Sequence, residues 1–203
     1  MRRLTALLSM APLLSCLLLA ACDRSPAPAT TQGPASAIDP AEAVRSASQR
    51  LAEVRSFHAE LDVEGAALAV RSSMDFVAPD RFRLQTASGP QTIIGDTMFL
   101  QSAGATRQVP TPAGLLDQWR RPLTGDVPSV PMKAEDLGRQ PLDGVDTRHY
   151  RLLGAAGERL EYWVDAQGLP RQIVRIGSNH GRPYQLRLRY SRLNDPSLRI
   201  DRP

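Results

Sequence analysis

Two kinds of residue in this 203-residue chain could do chemistry: its cysteines and its histidines. The cysteines are Cys16 and Cys22, and the histidines are His58, His149 and His180. The histidines are scattered, and none has a ligand partner at helical spacing, so the pattern gives no metal pair. No Gly-x-Ser-x-Gly elbow or phosphate-binding loop is present either. Catalytic machinery is therefore not visible, and the expectation is a protein that is not an enzyme, with no catalytic residue, no metal and no cofactor. Cys22 is different. It closes the stretch Leu17-Leu18-Leu19-Ala20-Ala21-Cys22, and the chain turns polar and proline-rich immediately after it. A core residue, a disulfide half, a metal ligand and a modified thiol are the options for it.

The surroundings of Cys22 decide among these. Met1-Arg2-Arg3 is a short basic segment, and residues 4–20 are uncharged and mostly apolar. Small residues follow at Ala20 and Ala21, which completes the three-part layout of a secretory signal, too short for a membrane span with its flanks. Leu19-Ala20-Ala21-Cys22 resembles the bacterial lipobox, whose cysteine takes a diacylglyceryl group before a peptidase cuts in front of it. The alternatives are a plain signal peptide with a chance cysteine and an uncleaved anchor. Cleavage before Cys22 removes residues 1–21, Cys16 among them, so Cys22 has no internal partner in an exported protein, and acylation explains it. Two or more acyl chains hold firmly where one holds marginally. Cys22 is thus the expected lipid-attachment site and the link to the membrane.

Composition sets further bounds. The formal net charge is +4, from 25 Lys and Arg against 21 Asp and Glu. Lys133 is the one lysine among them. Such a balance, in an exported chain, argues against a nucleic-acid partner. Arginine richness is compatible with attraction to anionic lipid or phosphate, and equally with a codon preference. Residues 22–38 are rich in Pro, Ala, Ser and Thr and read as an acylated cysteine plus a flexible linker. Residues 39–203 are enough for one domain with a sizeable core.

Within that domain, Asp39-Pro40-Ala41-Glu42 has the features of a helix start, and Val44, Ala47, Leu51 and Val54 then recur at three- and four-residue spacing. This predicts a helix over 40–54. From Phe57 the period becomes two: Phe57, Ala59, Leu61 and Val63 alternate with His58, Glu60, Asp62 and Glu64. Ala66 to Phe76 continues as a long strand, with Val70 and Met74 on its apolar side. Phe82 and Leu84 share a face of the next, and a hairpin spans residues 91–101. Thr106–Val109 is a further short strand. Leu115, Leu116 and Trp119 suit a short helix over 112–121, residues 122–132 a proline-rich loop, and residues 133–137 another helical turn. Four strands follow, over 148–153, 158–165, 171–176 and 183–192. In the last, Leu186, Leu188 and Tyr190 oppose Arg187, Arg189 and Arg192. The economical reading is α+β: one antiparallel sheet of about 10–11 strands with helices over its apolar face.

Several stretches are similar to LolA-like lipoprotein-sorting domains. Glu42–Val63 (EAVRSASQRLAEVRSFHAELDV) resembles the opening of that family, and Met74-Asp75-Phe76-Val77-Ala78-Pro79-Asp80-Arg81-Phe82-Arg83 resembles its x-P-D-R-F-R hairpin. Asp143-Gly144-Val145-Asp146-Thr147-Arg148-His149-Tyr150 and Tyr162-Trp163-Val164-Asp165-Ala166-Gln167-Gly168-Leu169-Pro170 resemble two later family segments, and Leu198–Pro203 its close. With the lipobox, the likeness is to LppX/LprG-type lipoproteins. The resemblance implies a LolA-like, curled antiparallel half-barrel whose hollow is covered by helices and holds acyl chains of lipids or lipoproteins. It implies a monomer that transports lipid across the cell envelope. The lipid-lining candidates are Val44, Leu51, Phe57, Leu61, Val70, Met74, Phe82, Leu84, Leu115, Leu116, Trp119, Tyr162, Leu186 and Leu188, each of which ordinary core packing would also explain. The implied location is the extracytoplasmic face of the envelope. Asp23 leans toward the outer leaflet of the plasma membrane over the outer membrane. The other reading of the same fold is an envelope sensor that meets a protein partner, through the acidic strand face (Glu60, Asp62, Glu64) or the basic one (Arg187, Arg189).

Overall fold

Eleven strands pair in one antiparallel sheet, and a single described helix lies against it. This computed structural model describes residues 38–65, 69–115, 133–154 and 157–203. Helix α1 spans Pro40–Glu53 and starts as its sequence requires: the Asp39 carboxylate accepts from the Ala41 amide at 3.0 Å, and Pro40 occupies the first turn. Glu42 does not complete a capping box; it pairs with Arg45 along the helix surface instead. Val44, Ala47 and Leu51 are buried, which is the stripe the spacing predicts.

The strands are β1 (Ser56–Gly65), β2 (Val70–Val77), β3 (Arg81–Thr86), β4 (Gly89–Ile94), β5 (Thr97–Ser102) and β6 (Ala105–Pro110), then β7 (Lys133–Arg139), β8 (Thr147–Leu153), β9 (Arg159–Asp165), β10 (Pro170–Asn179) and β11 (Arg182–Ser191). Their order across the sheet is β6-β5-β4-β3-β2-β1-β11-β10-β9-β8-β7. Two meanders are therefore sewn together by the β1–β11 ladder, which pairs His58 with Ser191 and runs to Gly65 and Tyr184. β6 and β7 are the edges among the described residues. Residues 111–132 connect the two edges.

Two sequence expectations need correction or limitation. Residues 133–137 are not a helical turn; they belong to β7, which pairs with β8 from Lys133–Leu153 to Arg139–Arg148. Lys, Ala, Glu and Leu favour helix intrinsically by a few tenths of a kcal/mol each, and the hydrogen bonds of an open sheet edge outweigh that. The cover by several helices is reduced to α1 among the described residues, which packs on β7–β10. Of the expected helix over 112–121, residues 116–121 lie outside the described residues, as do Leu116, Trp119, Cys22, the signal segment and most of the linker.

One core holds helix and sheet together. Val44, Ala47, Leu51 and Val54 cluster with Phe57, Ala59, Phe76, Phe82, Leu84, Ile93, Met98, Tyr150, Leu152, Leu160, Tyr162, Val164, Ile173 and Tyr190. Its centre is aromatic: Phe57 lies 5.1 Å from Phe76 and 5.5 Å from Tyr190, and Phe76 lies 5.0 Å from Phe82, centroid to centroid. Tilted and edge-on rings at these distances add about 0.5–1.5 kcal/mol per pair beyond the area they bury.

Candidate functional site

In an antiparallel ladder directly opposed residues share a face, so the register fixes which side chains meet on the α1 side of the sheet. One row crosses six strands: Leu152 on β8, Leu160 on β9, Arg175 on β10, Leu186 on β11, Val63 on β1 and Val70 on β2. The next row reads Tyr150, Tyr162, Ile173, Leu188, Leu61 and Ser72. Burial changes along both. Leu152, Leu160, Tyr162 and Ile173 are fully covered and share the core cluster with α1. Leu61, Val63, Met74, Leu186 and Leu188 are half-buried, and Val70 is 36% exposed. The sheet thus carries an apolar, incompletely covered surface across β2, β1 and β11, beside the strands that α1 packs on.

The fourteen residues expected to line a cavity fall into three groups. Val44, Leu51, Phe57, Phe82, Leu84 and Tyr162 are buried in the core. Leu61, Val70, Met74, Leu186 and Leu188 belong to the half-covered surface, and Leu115 is partly buried against the core cluster. Leu116 and Trp119 lie outside the described residues. Sequence reasoning did not single out Arg175 and Tyr184. β10 reads Arg171-Gln172-Ile173-Val174-Arg175-Ile176, with apolar residues on both parities, so alternation alone does not say which way Arg175 points.

A second feature is a cleft of about 520 Å³ where α1 meets the ends of β7, β8 and β9. Its floor is Ala43, Ala47, Tyr150 and Val164, and its rim is polar, with Glu42, Arg50, Arg139, Asp146, Arg148 and Asp165. Much of that charge is already used. Arg50 donates to the Gln167 carbonyl at 2.5 Å, Arg148 to Asp136 at 2.8 Å, and Arg171 to Asp165 at 2.7 Å. Arg148 in turn holds the Asp136 carboxyl below its ordinary range. None of the fourteen lining candidates borders this cleft.

The opposite face of the sheet is charged, but not in two separate signs. Glu60 faces Arg189, and Asp62 faces Arg187, across the β1–β11 ladder. Arg71 of β2 donates to Asp62 at 2.7 Å from the other side, a hydrogen bond that lowers the Asp62 pKa. The acidic and basic stripes seen in the sequence are therefore neighbours in one surface of alternating charge.

Further along this face His149 stacks on Trp163, ring centroids 4.1 Å apart, and lies 3.2 Å from the Glu161 carboxylate. Arg151 donates to the same carboxylate at 3.0 Å, and the Trp163 indole donates to Gln140 at 3.1 Å. Burial of His149 pushes its pKa down, with Glu161 opposing. His58 instead contacts Asp75 at 2.7 Å on another part of the sheet, and His180 sits in the β10–β11 turn. Among the described residues no group of three or more His, Cys, Asp or Glu could hold a metal ion.

The sequence matches no protein-family model and no curated protein. Solved structures do match the fold. The lipoprotein LppX of Mycobacterium tuberculosis aligns over 80% of this chain and 100% of its own, at 14% identity and a TM-score of 0.56. LprF of Mycobacterium bovis aligns over 79% of this chain and 95% of its own, at 14% identity and a TM-score of 0.55.

Proposed function

From the LolA-like fold of LppX/LprG type that this chain has, we propose that it is a membrane-anchored lipoprotein that binds an acyl-chain lipid, or the acyl chains of a lipoprotein, and carries it within the cell envelope. The observation that supports this is the half-covered apolar surface of Leu61, Val63, Val70, Met74, Leu186 and Leu188. A water-exposed apolar surface of this kind is costly, and a methylene moved from water onto it gains up to about 0.8 kcal/mol. An acyl chain of ordinary length therefore has ample driving force, and the reaction needs no chemistry on the lipid. The protein is accordingly a carrier rather than an enzyme.

The anchor is Cys22, acylated after removal of residues 1–21, with residues 23–38 as the tether. This puts the domain on the extracytoplasmic side, at the outer leaflet of the plasma membrane. Native mass spectrometry with lipid extraction on the purified protein tests the reading. A near-stoichiometric acyl lipid supports the carrier, and its mass names the ligand class. A lipid-free protein that takes up no offered lipid overturns it and redirects the search to a protein partner.

A further inference from the structure

We infer that the lipid bound on the β1–β2–β11 surface is anionic, and that its phosphate or carboxylate head is held by Arg175; this rests on the carrier reading above. Arg175 interrupts an otherwise apolar row, with Leu160 directly across from it on β9 and Leu186 on β11. It shares a face with Ile173, which is fully buried two residues earlier. The guanidinium side chain is half-buried, yet among the described residues it makes no hydrogen bond and no ion pair. Several arginines of this half of the sheet are engaged, Arg151 and Arg159 with Glu161, Arg171 with Asp165, and Arg189 with Gln172. Arg187, which makes no hydrogen bond among the described residues, lies on the charged face opposite Asp62, whereas Arg175 stands in the apolar row. A cation kept among leucines without a partner is unfavourable by the desolvation it suffers, and an anion that arrives with a ligand relieves that cost. The planar fork of arginine suits both oxygens of a carboxylate or phosphate.

The position of Arg175 also orients the ligand. It stands at the boundary between the strands covered by α1 and the open apolar surface, next to Leu186 and two strands from Val63. A second polar group lies at the same end. Tyr184 is flanked across the ladders by Gly65 and Gly177, and its hydroxyl passes within 3.1 Å of where a Cβ on Gly177 would stand. Gly177 lies two residues beyond Arg175 on the same face, so its missing side chain is what leaves room for the Tyr184 ring. Head at Arg175 and Tyr184, chains over Leu61, Leu188 and Met74, is the arrangement that matches each part of the surface to its chemistry.

The test compares lipids that differ only in the charge of the head. The full chain, purified from membranes in non-ionic detergent and depleted of lipid, is offered oleate against oleyl alcohol, and dioleoylphosphatidate against dioleoylglycerol, with retention read by native mass spectrometry. The wild type is expected to retain the anionic member of at least one pair tenfold or more over the neutral one. The pair that shows the preference tells carboxylate from phosphate. Arg175→Gln is expected to bring the two members to parity while still binding the neutral lipid, and Arg175→Lys to keep most of the preference. Equal retention by the wild type, or an undiminished preference in a folded Arg175→Gln protein, overturns the assignment of Arg175 and leaves the carrier reading standing. Failure to retain any of the four lipids overturns both.

Discussion

Asp62 of β1 stands directly opposite Arg187 of β11, and together with Arg71 on β2 it forms a cross-strand charge ladder on the face turned away from α1. Arg71 is largely exposed, with 86% of its side-chain surface open to water, while the Asp62 side chain retains 17%. The pair is therefore worth little on the arginine side, and Arg71→Ala is expected to lower stability only slightly. Asp62→Ala should cost more than Arg71→Ala, because it removes the carboxylate that stands between Arg71 and Arg187. Urea unfolding of both variants at low and at 1 M salt checks this, since screening should shrink the difference. A larger loss from Arg71→Ala than from Asp62→Ala would contradict the ladder.

The apolar face separates into parts that should respond differently to truncation. Phe82 is fully buried and contacts the aromatic centre through Phe76, so Phe82→Ala is expected to cost about 3–5 kcal/mol. Leu186 is half-buried beside Arg175, and Leu186→Ala should cost only about 1 kcal/mol. On the carrier reading the order reverses for lipid retention. Leu186→Ala and Leu61→Ala lose bound lipid while remaining folded, whereas Phe82→Ala loses lipid only to the extent that it unfolds. Thermal unfolding run beside lipid quantification separates the two effects.

Much of this fold was legible because local rules govern it. The α1 stripe, the alternation in β1 and the parity of Leu186, Leu188 and Tyr190 in β11 are properties of a few neighbouring residues, and each stands in the structure as its spacing predicts. The pairing of β1 with β11 was not legible, since it joins residues such as His58 and Ser191 that no local pattern connects. That pairing is what merges the acidic and basic stripes and lines up Val63, Leu186 and Arg175. β7 was misread for the complementary reason: its residues favour helix, and the strand exists because β8 offers an unpaired edge. Separating half-covered residues from fully buried ones also needed the structure, because Phe82 and Leu61 obey the same alternation and differ only in what covers them.

His149 gives the acid response of the domain a direction. Its folded pKa lies below the ordinary histidine value, chiefly because it is buried against Trp163, with Arg151 adding to the shift and Glu161 opposing it. The unfolded chain therefore takes up the proton more readily. The stability that neutral His149 contributes is full above about pH 6.5 and is lost as pH falls below it. The urea midpoint is expected to drop between pH 7.5 and pH 5, and His149→Gln should flatten that drop. Below this window Asp195 contributes with the same sign. Hydrogen bonds from Ser197 and Arg192 hold it down to about 2, so its contribution fades from about pH 4 toward 2. A midpoint that stays constant or rises on going from pH 7.5 to 5 would exclude this role for His149.

Cys22 carries the last prediction, which depends on the sequence of the first 22 residues alone. If Leu19-Ala20-Ala21-Cys22 is processed as a lipobox, the mature protein begins at Cys22, carries two or three acyl chains and partitions with membranes. On that reading, Cys22→Ser removes the thiol that would accept the diacylglyceryl group. Membrane fractionation should then find the protein unprocessed or released into the soluble envelope fraction, with no acyl mass on its N-terminal peptide. On the reading of residues 23–38 as a tether, the domain over 39–203 should unfold at the same urea concentration in both forms. Wild-type protein with an unmodified Cys22 and an intact residue 1–21 segment would instead mark an uncleaved N-terminal anchor, and a mature chain that starts after a different residue would mark a plain secretory signal.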